Sequence, residues 1–207
     1  MKRLLLASAQ TGALRRLVDD PARMRFAFVP TAAGPDSDSK PWVRADRAGL
    51  EAVGCDVSTL ELAAAGPDEV QSALSLVDAV FVTGGNTYLL LWHAQRSGFA
   101  ELVVPLVESG ELLFAGTSAG SILAGPDVFP ASSMDQRAAA PELESTRGLG
   151  LVDFSILPHD QEPESRAYHD EAIAAGAAFE LIRLTDDRAV VVRGDDWEVV
   201  DSPPLQA

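Results

Sequence analysis

Short apolar runs alternate with amphipathic stretches along the chain. Several runs are apolar at consecutive positions, which is typical of strands covered on both faces of a sheet. The predicted strands are Leu4–Ala7, Phe26–Val29, Val57–Leu62, Ala79–Val82, Leu112–Ala115, Phe154–Leu157 and Ala189–Val192. Helical spacing of apolar positions marks the predicted helices, Val43 to Val53, Val70 to Leu74, Tyr88 to Ala94, Leu102 to Val107 and Ala172 to Leu181. This alternation predicts an α/β fold with a doubly wound, mostly parallel sheet flanked by helices.

The C-terminal region has a different pattern. Trp197–Val200 follows the turn residues Gly194-Asp195-Asp196 and is predicted to form a β-hairpin with Val190–Val192. Long stretches without clear periodicity are usually functional or mobile loops; they are Gln10–Met24, Gly34–Lys40 and Pro126–Gly148. No repeat or low-complexity linker interrupts the 207 residues, so we expect a single α/β domain over residues 1–207.

Composition narrows the classes of partner. The 31 acidic residues exceed the 16 Lys and Arg residues and give a net charge of −15, which argues against nucleic acid and anionic membranes. The single Cys55 excludes an intramolecular disulfide, and no metal site or cofactor is suggested. The first apolar run is too short for a signal peptide, and no run approaches the roughly 20 residues of a membrane span. We therefore expect a cytoplasmic protein, as a monomer or a homodimer.

Candidate chemistry begins at Gly116-Thr117-Ser118-Ala119-Gly120, between a predicted strand and the first turn of a helix. Gly-x-Ser-x-Gly in this context has the form of a nucleophile elbow, in which the serine lies on a sharp, strained turn. The flanking glycines let neighbouring backbone pass where a Cβ would clash. We predict Ser118 as the nucleophile and the Ala119 N–H as an oxyanion donor. A plain tight turn is the alternative, which the strand–helix context disfavours.

A second glycine-rich turn follows the predicted strand Ala79–Val82, in the segment Thr83-Gly84-Gly85-Asn86-Thr87. Asn86 or Thr87 would cap the next helix, and free N–H groups there would form a concavity that favours anions. In a doubly wound sheet this turn and the elbow lie at the same carboxyl edge, where ligands bind. We therefore predict Gly85 as the second oxyanion donor and Gly84 and Asn86 as substrate-binding residues, against the alternative of a tight turn with a good helix cap.

A nucleophilic serine needs a base, and the chain has three histidines. His93 falls within the predicted helix Tyr88 to Ala94, and His169 lies in a further predicted helical stretch with Arg166, Tyr168 and Asp170; surface or interface roles are commoner in such places. His159 follows the strand Phe154–Leu157 and Pro158, again at the carboxyl end of a strand. The sequence therefore predicts His159 as the general base for Ser118.

The motifs together resemble the peptidase E family of serine peptidases, also called aspartyl dipeptidases, whose distant relatives include the cyanophycinases. The resemblance covers nearly the whole chain. Its most specific part is the order of Gly-Gly-Asn-Thr at 84–87, Ser-Ala-Gly at 118–120 and Pro-His at 158–159. It implies a flavodoxin-like fold similar to class I glutamine amidotransferase domains, which carry Cys at the elbow. Ser118 indicates the peptidase branch, which hydrolyses short peptides with an N-terminal Asp through an acyl-enzyme.

The resemblance also implies an acidic third catalytic residue between Ser118 and His159. Asp135 matches that position best, and its task would be to accept a hydrogen bond from the Nδ1–H of His159. Other carboxylates of the same region remain alternatives: Asp127, Glu142, Glu144 and Asp160.

A short acidic peptide would need a cation for its side-chain carboxylate, and arginine suits that task because it can donate to both oxygens. Arg166 and Arg137, near the two loops that flank the predicted site, are the candidates, although either could be a surface residue. Two other functions remain open. One is a cyanophycinase-like exopeptidase or acyl hydrolase, and the other is a non-catalytic α/β module that binds small molecules; the intact Ser118 and His159 favour an enzyme.

Overall fold

The structure is a computed structural model and describes residues 1–206. Ala207, the last residue of the predicted domain, lies outside the described residues. The strands are β1 (Arg3–Ala7), β2 (Arg25–Val29), β3 (Asp56–Thr59), β4 (Ala79–Val82), β5 (Leu113–Thr117), β6 (Phe154–Leu157), β7 (Glu180–Arg183), β8 (Arg188–Arg193) and β9 (Asp196–Asp201). The helices are α1 (Pro41–Ala52), α2 (Pro67–Ser75), α3 (Thr87–Arg96), α4 (Phe99–Ser109), α5 (Ala119–Leu123) and α6 (Pro163–Ala175). Over residues 1–206 no helix combines the length and the apolarity that crossing a membrane requires.

Seven strands form the central sheet in the order β3-β2-β4-β5-β1-β8-β9. The strands β1 to β5 run parallel to one another, whereas β8 pairs antiparallel with β1 and forms a hairpin with β9. The predicted fold class and C-terminal hairpin are therefore confirmed. Because the parallel strands share one carboxyl edge, the loops after β1, β4 and β5 meet there.

Both faces of the sheet are buried, which explains the consecutive apolar residues of its strands. Leu4 and Leu6 of β1 pack in a cluster with apolar residues of helices α2 to α5. The alternate residues Leu5 and Ala7 pack in a second cluster with Val43 of α1.

Strand β6 is not part of the central sheet. It pairs in parallel with β7 instead. The prediction of a helix from Ala172 to Leu181 is wrong at its end: α6 stops at Ala175, and Gly176 follows with φ of 78° before β7 begins. Leu181 of β7 continued the helical spacing by coincidence, and Gly176, a residue that readily adopts positive φ, is the signal that ends the helix.

Candidate active site

Ser118 lies on a sharp turn between β5 and α5, with φ of 48° and ψ of −111°. Positive φ at a residue with a side chain is strained. The flanking glycines make the turn possible. A Cβ on Gly116 would lie 2.6 Å from the carbonyl carbon of Gly120, and a Cβ on Gly120 would lie 2.1 Å from the carbonyl oxygen of Val82. Strand, turn and helix therefore have the geometry of a nucleophile elbow.

Hydrogen bonds hold this turn against β1. The Ser118 N–H lies 3.0 Å from the carbonyl oxygens of both Ala7 and Ser8. The buried Ser121 hydroxyl lies 2.8 Å from the carbonyl oxygens of Ala7 and Gly116. Ser118 is thus fixed between the carboxyl ends of the adjacent parallel strands β1 and β5.

His159 lies next to the serine. Its Nε2 is 3.1 Å from Ser118 Oγ, and its backbone φ is 62°, a second strained position at this site. It follows β6, so the parallel β6–β7 pair brings the imidazole to the carboxyl edge of the central sheet. The two side chains are within the reach that proton transfer from serine to histidine needs.

Asp186, in the loop between β7 and β8, holds the other side of the imidazole. Its Oδ1 lies 2.6 Å from His159 Nδ1. A carboxylate can only accept, so this contact puts a proton on Nδ1 and leaves Nε2 free to accept one from Ser118. The histidine and aspartate side chains are 26% and 38% exposed, which leaves the array open to a substrate.

The prediction that Asp135 lies on His159 needs correction, since Asp186 occupies that place. The Asp135 carboxylate instead accepts a hydrogen bond of 2.8 Å from the Thr87 N–H at the start of α3. Burial raises the pKa of Asp135, and the bond from Thr87 opposes that shift. Of the alternatives, Glu142 and Glu144 are exposed. Asp127 accepts hydrogen bonds from the Phe129 N–H and the Thr146 hydroxyl. Asp160 bonds to His169 and Arg183.

Ser8, directly after β1, links the three members of the array. Its carbonyl accepts from the Ser118 N–H, and its hydroxyl oxygen accepts from the His159 N–H at 2.8 Å. The same hydroxyl donates to Asp186 Oδ1 at 3.1 Å. Ser8 is buried, whereas its partners His159 and Asp186 are partly exposed at the edge of the site.

The predicted oxyanion donors lie beside the nucleophile. Ala119 is the first residue of α5, where an N–H has no acceptor inside its helix. A Cβ on Gly84 would lie 3.1 Å from Ser118 Cβ, and a Cβ on Gly85 would lie 2.2 Å from the Ala32 carbonyl oxygen. Because Gly85 also has a φ of 148°, only glycine fits there. Across residues 1–206, no hydrogen-bond acceptor engages the N–H groups of Gly84, Gly85 or Ala119.

A cavity of about 250 Å³ opens beside this array. It is lined by Ser8, Ala9, Trp42, Asp46, Gly84, Gly85, Thr117, Ser118 and His159. Its charged side chain is a carboxylate, that of Asp46, and no lysine or arginine of residues 1–206 lines it.

The other predicted substrate-binding residues lie outside this lining. Asn86 caps α3 through a bond from the Leu89 N–H, and its amide donates to the carbonyl of Gln136. The Arg137 guanidinium donates to the Leu143 carbonyl, and that of Arg166 donates to the Asp160 carbonyl. Both arginines are exposed and neither faces the cavity, so the predicted cation for an acidic substrate is not brought to the site.

Sequence reasoning missed Asp186, Ser8 and Asp46. Ser8 directly follows β1, and Asp186 lies shortly after β7. The rule that selected His159, a polar residue at the carboxyl end of a strand, therefore applies to both of them as well. It failed for Asp186 because no strand is predicted before it: the predicted helix Ala172 to Leu181 covers the first half of β7. Asp46 gives no such signal, because it lies within α1 and reaches the sheet edge only through tertiary packing.

Known proteins are similar to this chain in sequence and in fold. The family model Peptidase family S51 matches residues 6–200. An uncharacterized peptidase of Listeria monocytogenes is 29% identical over 170 residues, 82% of each chain. Peptidase E of Streptomyces coelicolor is 32% identical over 177 residues, 86% of this chain and 68% of that protein. A crystal structure of a peptidase E candidate from Listeria monocytogenes superimposes with a TM-score of 0.89 over 97% of this chain and 98% of that one, at 27% identity. Since the family model spans nearly the entire sequence, the chain belongs to peptidase family S51.

Proposed function

We propose that this peptidase hydrolyses short peptides through an acyl-enzyme formed on Ser118. The observation that carries the proposal is the continuous chain of contacts from Ser118 Oγ to His159 Nε2 at 3.1 Å and from His159 Nδ1 to Asp186 Oδ1 at 2.6 Å. Nucleophile, base and orienting carboxylate follow one another in the geometry of a serine hydrolase triad.

In the proposed mechanism the Ser118 oxygen attacks the carbonyl carbon of the first peptide bond while its proton passes to His159 Nε2. The imidazolium then donates that proton to the leaving amine, and the C–N bond breaks. Water, activated by the same Nε2, hydrolyses the ester and restores the serine. Asp186 keeps the imidazole in the Nδ1–H tautomer and stabilises the imidazolium.

The backbone N–H groups around the serine supply the oxyanion site in this proposal. Ala119 is one donor and the Gly84-Gly85 turn provides the second, because both lie against Ser118 and carry free N–H groups. Losing one such donor typically costs about 3 kcal/mol of transition-state stabilisation.

The size of the cavity supports short substrates. The cavity volume of about 250 Å³ is below the roughly 300–1,000 Å³ typical of sites for drug-sized ligands. It suits a peptide with a single residue on the N-terminal side of the scissile bond. The N-terminal Asp implied by the resemblance receives no support from the lining, because a carboxylate and no cation faces the cavity. The proposed reaction is therefore cleavage of short peptides without a commitment to aspartyl substrates.

A fluorophosphonate probe tests this proposal. The probe should label the native protein on Ser118, located by mass spectrometry of the digested adduct, while Ser118→Ala should remain unlabelled. Incubation of the native protein with a panel of dipeptides should release the C-terminal amino acid. If the probe leaves Ser118 unmodified and no peptide is cleaved, the chain is a non-catalytic binding module and the proposal is wrong.

A further inference from the structure

Asp46 is the charged residue of the cavity that the proposed mechanism does not use. It lies on α1, four residues after Trp42, so both side chains lie on one face of the helix, and both line the cavity. A carboxylate beside an aromatic ring at the reacting serine points to recognition of a substrate cation.

The carboxylate is held close to the nucleophile. Asp46 Oδ2 accepts hydrogen bonds from the hydroxyls of Thr83 at 2.6 Å and Thr117 at 3.0 Å. These threonines immediately precede Gly84 and Ser118 in the chain: Thr83 directly follows β4, and Thr117 is the last residue of the adjacent strand β5. The second oxygen, Oδ1, has no hydrogen-bond partner among residues 1–206, although its residue lines the cavity. One oxygen is therefore anchored and the other is left for a ligand.

This arrangement is costly for a purely structural residue. Burial raises the pKa of Asp46 to about 6, against the opposing hydrogen bonds from the two threonines. A neutral side chain of similar shape could accept the same hydroxyl bonds without an ionised group being removed from water. A substrate cation at Oδ1 would supply the missing partner.

Trp42 adds the second half of the subsite. Its indole N–H donates to the Gly84 carbonyl at 3.1 Å, which fixes the ring against the turn that faces Ser118. Aromatic rings attract ammonium groups through the electron density of their faces, and a neighbouring carboxylate strengthens that attraction.

We propose that Asp46, together with Trp42, binds an ammonium group of the substrate's N-terminal residue, so that the enzyme prefers unblocked neutral or basic N-terminal residues to aspartyl ones. This inference rests on the proposed peptidase reaction at Ser118. An aspartyl side chain would place a carboxylate in a cavity that contains one carboxylate and no cation, and the net charge of −15 adds to that repulsion. The ammonium is either the α-amine of any unblocked peptide or the side chain of an N-terminal lysine.

The test measures leucine release by the full-length protein from Ala-Leu, Lys-Leu, Asn-Leu and Asp-Leu, and from N-acetyl-Ala-Leu and N-acetyl-Lys-Leu. The native enzyme should cleave Ala-Leu or Lys-Leu at least about tenfold better than Asp-Leu, in kcat/KM. Asp46→Asn should lower kcat/KM for the preferred peptide by about 10- to 100-fold, mainly through KM, because a charge-assisted bond is lost while the hydroxyl bonds remain possible. The same change should leave Asp-Leu unaffected or improved.

The acetylated peptides distinguish the two sources of ammonium. If the α-amine is bound, N-acetylation of Ala-Leu should abolish most of its advantage, and Asp46→Asn should be insensitive to acetylation. If the lysine side chain is bound, Lys-Leu should exceed Ala-Leu by at least about tenfold and N-acetyl-Lys-Leu should keep that advantage. Either pattern supports the inference.

Two matched variants separate recognition from structure. Glu51→Gln removes a carboxylate from the same helix, but an exposed one that pairs with Arg47, and should leave the preference unchanged. Thr83→Val removes one bond to Asp46 while keeping the charge, and should preserve the native order of preference among the peptides. If Thr83→Val reproduces the loss seen in Asp46→Asn for every peptide, Asp46 only braces the strands and the inference is wrong.

The remaining outcomes assign failure clearly. A native enzyme that is labelled on Ser118 but prefers Asp-Leu overturns the inference and leaves the proposed reaction intact. Equal kinetics of native enzyme and Asp46→Asn on all peptides does the same. A protein that is not labelled and cleaves nothing overturns the proposed reaction, and the inference with it.

Discussion

Ser118 and His159, the proposed nucleophile and base, are positioned by two different parts of the molecule. Ser118 lies within one strand–turn–helix unit, in which the glycines that shape the turn are two residues away on either side. His159 and Asp186 lie on loops after β6 and β7, strands outside the central sheet. Ser8, which is 151 and 178 residues from them in sequence, bonds to both at the edge of the sheet.

This difference separates what local sequence encodes from what only the complete fold creates. The elbow needs residues 113–123 and the strands that support them. The base and its carboxylate reach the serine only when β6 and β7 pair beside the sheet and β1 presents Ser8. Variants of the elbow should therefore act on the chemistry alone, whereas variants on the base side report how well the long-range contacts hold the imidazole.

The largest effect is expected at the nucleophile. Ser118→Ala should lower kcat by about 10⁵-fold or more, because no acyl-enzyme can form. The melting temperature should stay within about 2 °C of the native value. The elbow glycines remain, and alanine must adopt the same strained φ of 48° as Ser118, so the strain is unchanged. Stopped assays with the preferred dipeptide measure kcat, and calorimetry measures the melting temperature. Residual activity within tenfold of native would exclude Ser118 as the nucleophile.

The base should give the next largest effect. His159→Gln should lower kcat by about 10³- to 10⁵-fold, because an amide in place of the imidazole 3.1 Å from Ser118 Oγ is not basic enough to take up the serine proton. His93→Gln is the matched control, since His93 lies on α3 and does not line the cavity. Initial rates at saturating peptide compare the two variants. If His93→Gln were the more damaging change, the base-side assignment would have to be abandoned.

The success of the sequence predictions follows the same division. The order of the strands in the sheet could not be predicted from the sequence. The parallel character of the sheet, the elbow and the histidine at a strand end could be predicted, because each of them depends on a short sequence pattern. Asp186 could not be found because β7 is only four residues long and follows α6 so closely that Leu181 continued the helical spacing. The resemblance favours Asp135 as the third catalytic residue. In the structure its carboxylate instead accepts from the Thr87 N–H at the start of α3 and does not contact His159.

The two carboxylates sharpen the comparison further. Asp186→Asn should lower kcat by about 10²- to 10⁴-fold with a small change in KM, since an amide stabilises the wrong tautomer and not the imidazolium. Asp135→Asn makes the same chemical change in the loop before β6 and should leave kcat within tenfold, because the amide oxygen can still accept from the Thr87 N–H. Parallel kinetics on one peptide measure both. The opposite ranking would restore Asp135 to the array and remove Asp186.

The smallest effect concerns stability at the elbow side, where Asp46 lines the same cavity as Ser118. Its pKa in the folded protein, about 6, exceeds the ordinary 3.8, so the folded state binds more protons than the unfolded state between these values. The free energy of unfolding contributed by Asp46 is therefore fully present below pH 4 and is lost as pH rises through 6.

Asp46→Asn does not titrate, so its stability relative to the native protein should increase by about 2–3 kcal/mol between pH 4 and pH 7.5. Urea unfolding of both proteins at the two pH values measures this difference, with Glu51→Gln as the control expected to show no comparable change. A relative stability that is independent of pH would mean that the carboxylate is not buried against the strand ends in solution. A gain at pH 7.5 together with the loss of activity would show that this residue is kept for substrate rather than for the fold, because the native protein then gives up stability to hold an anion beside its nucleophile.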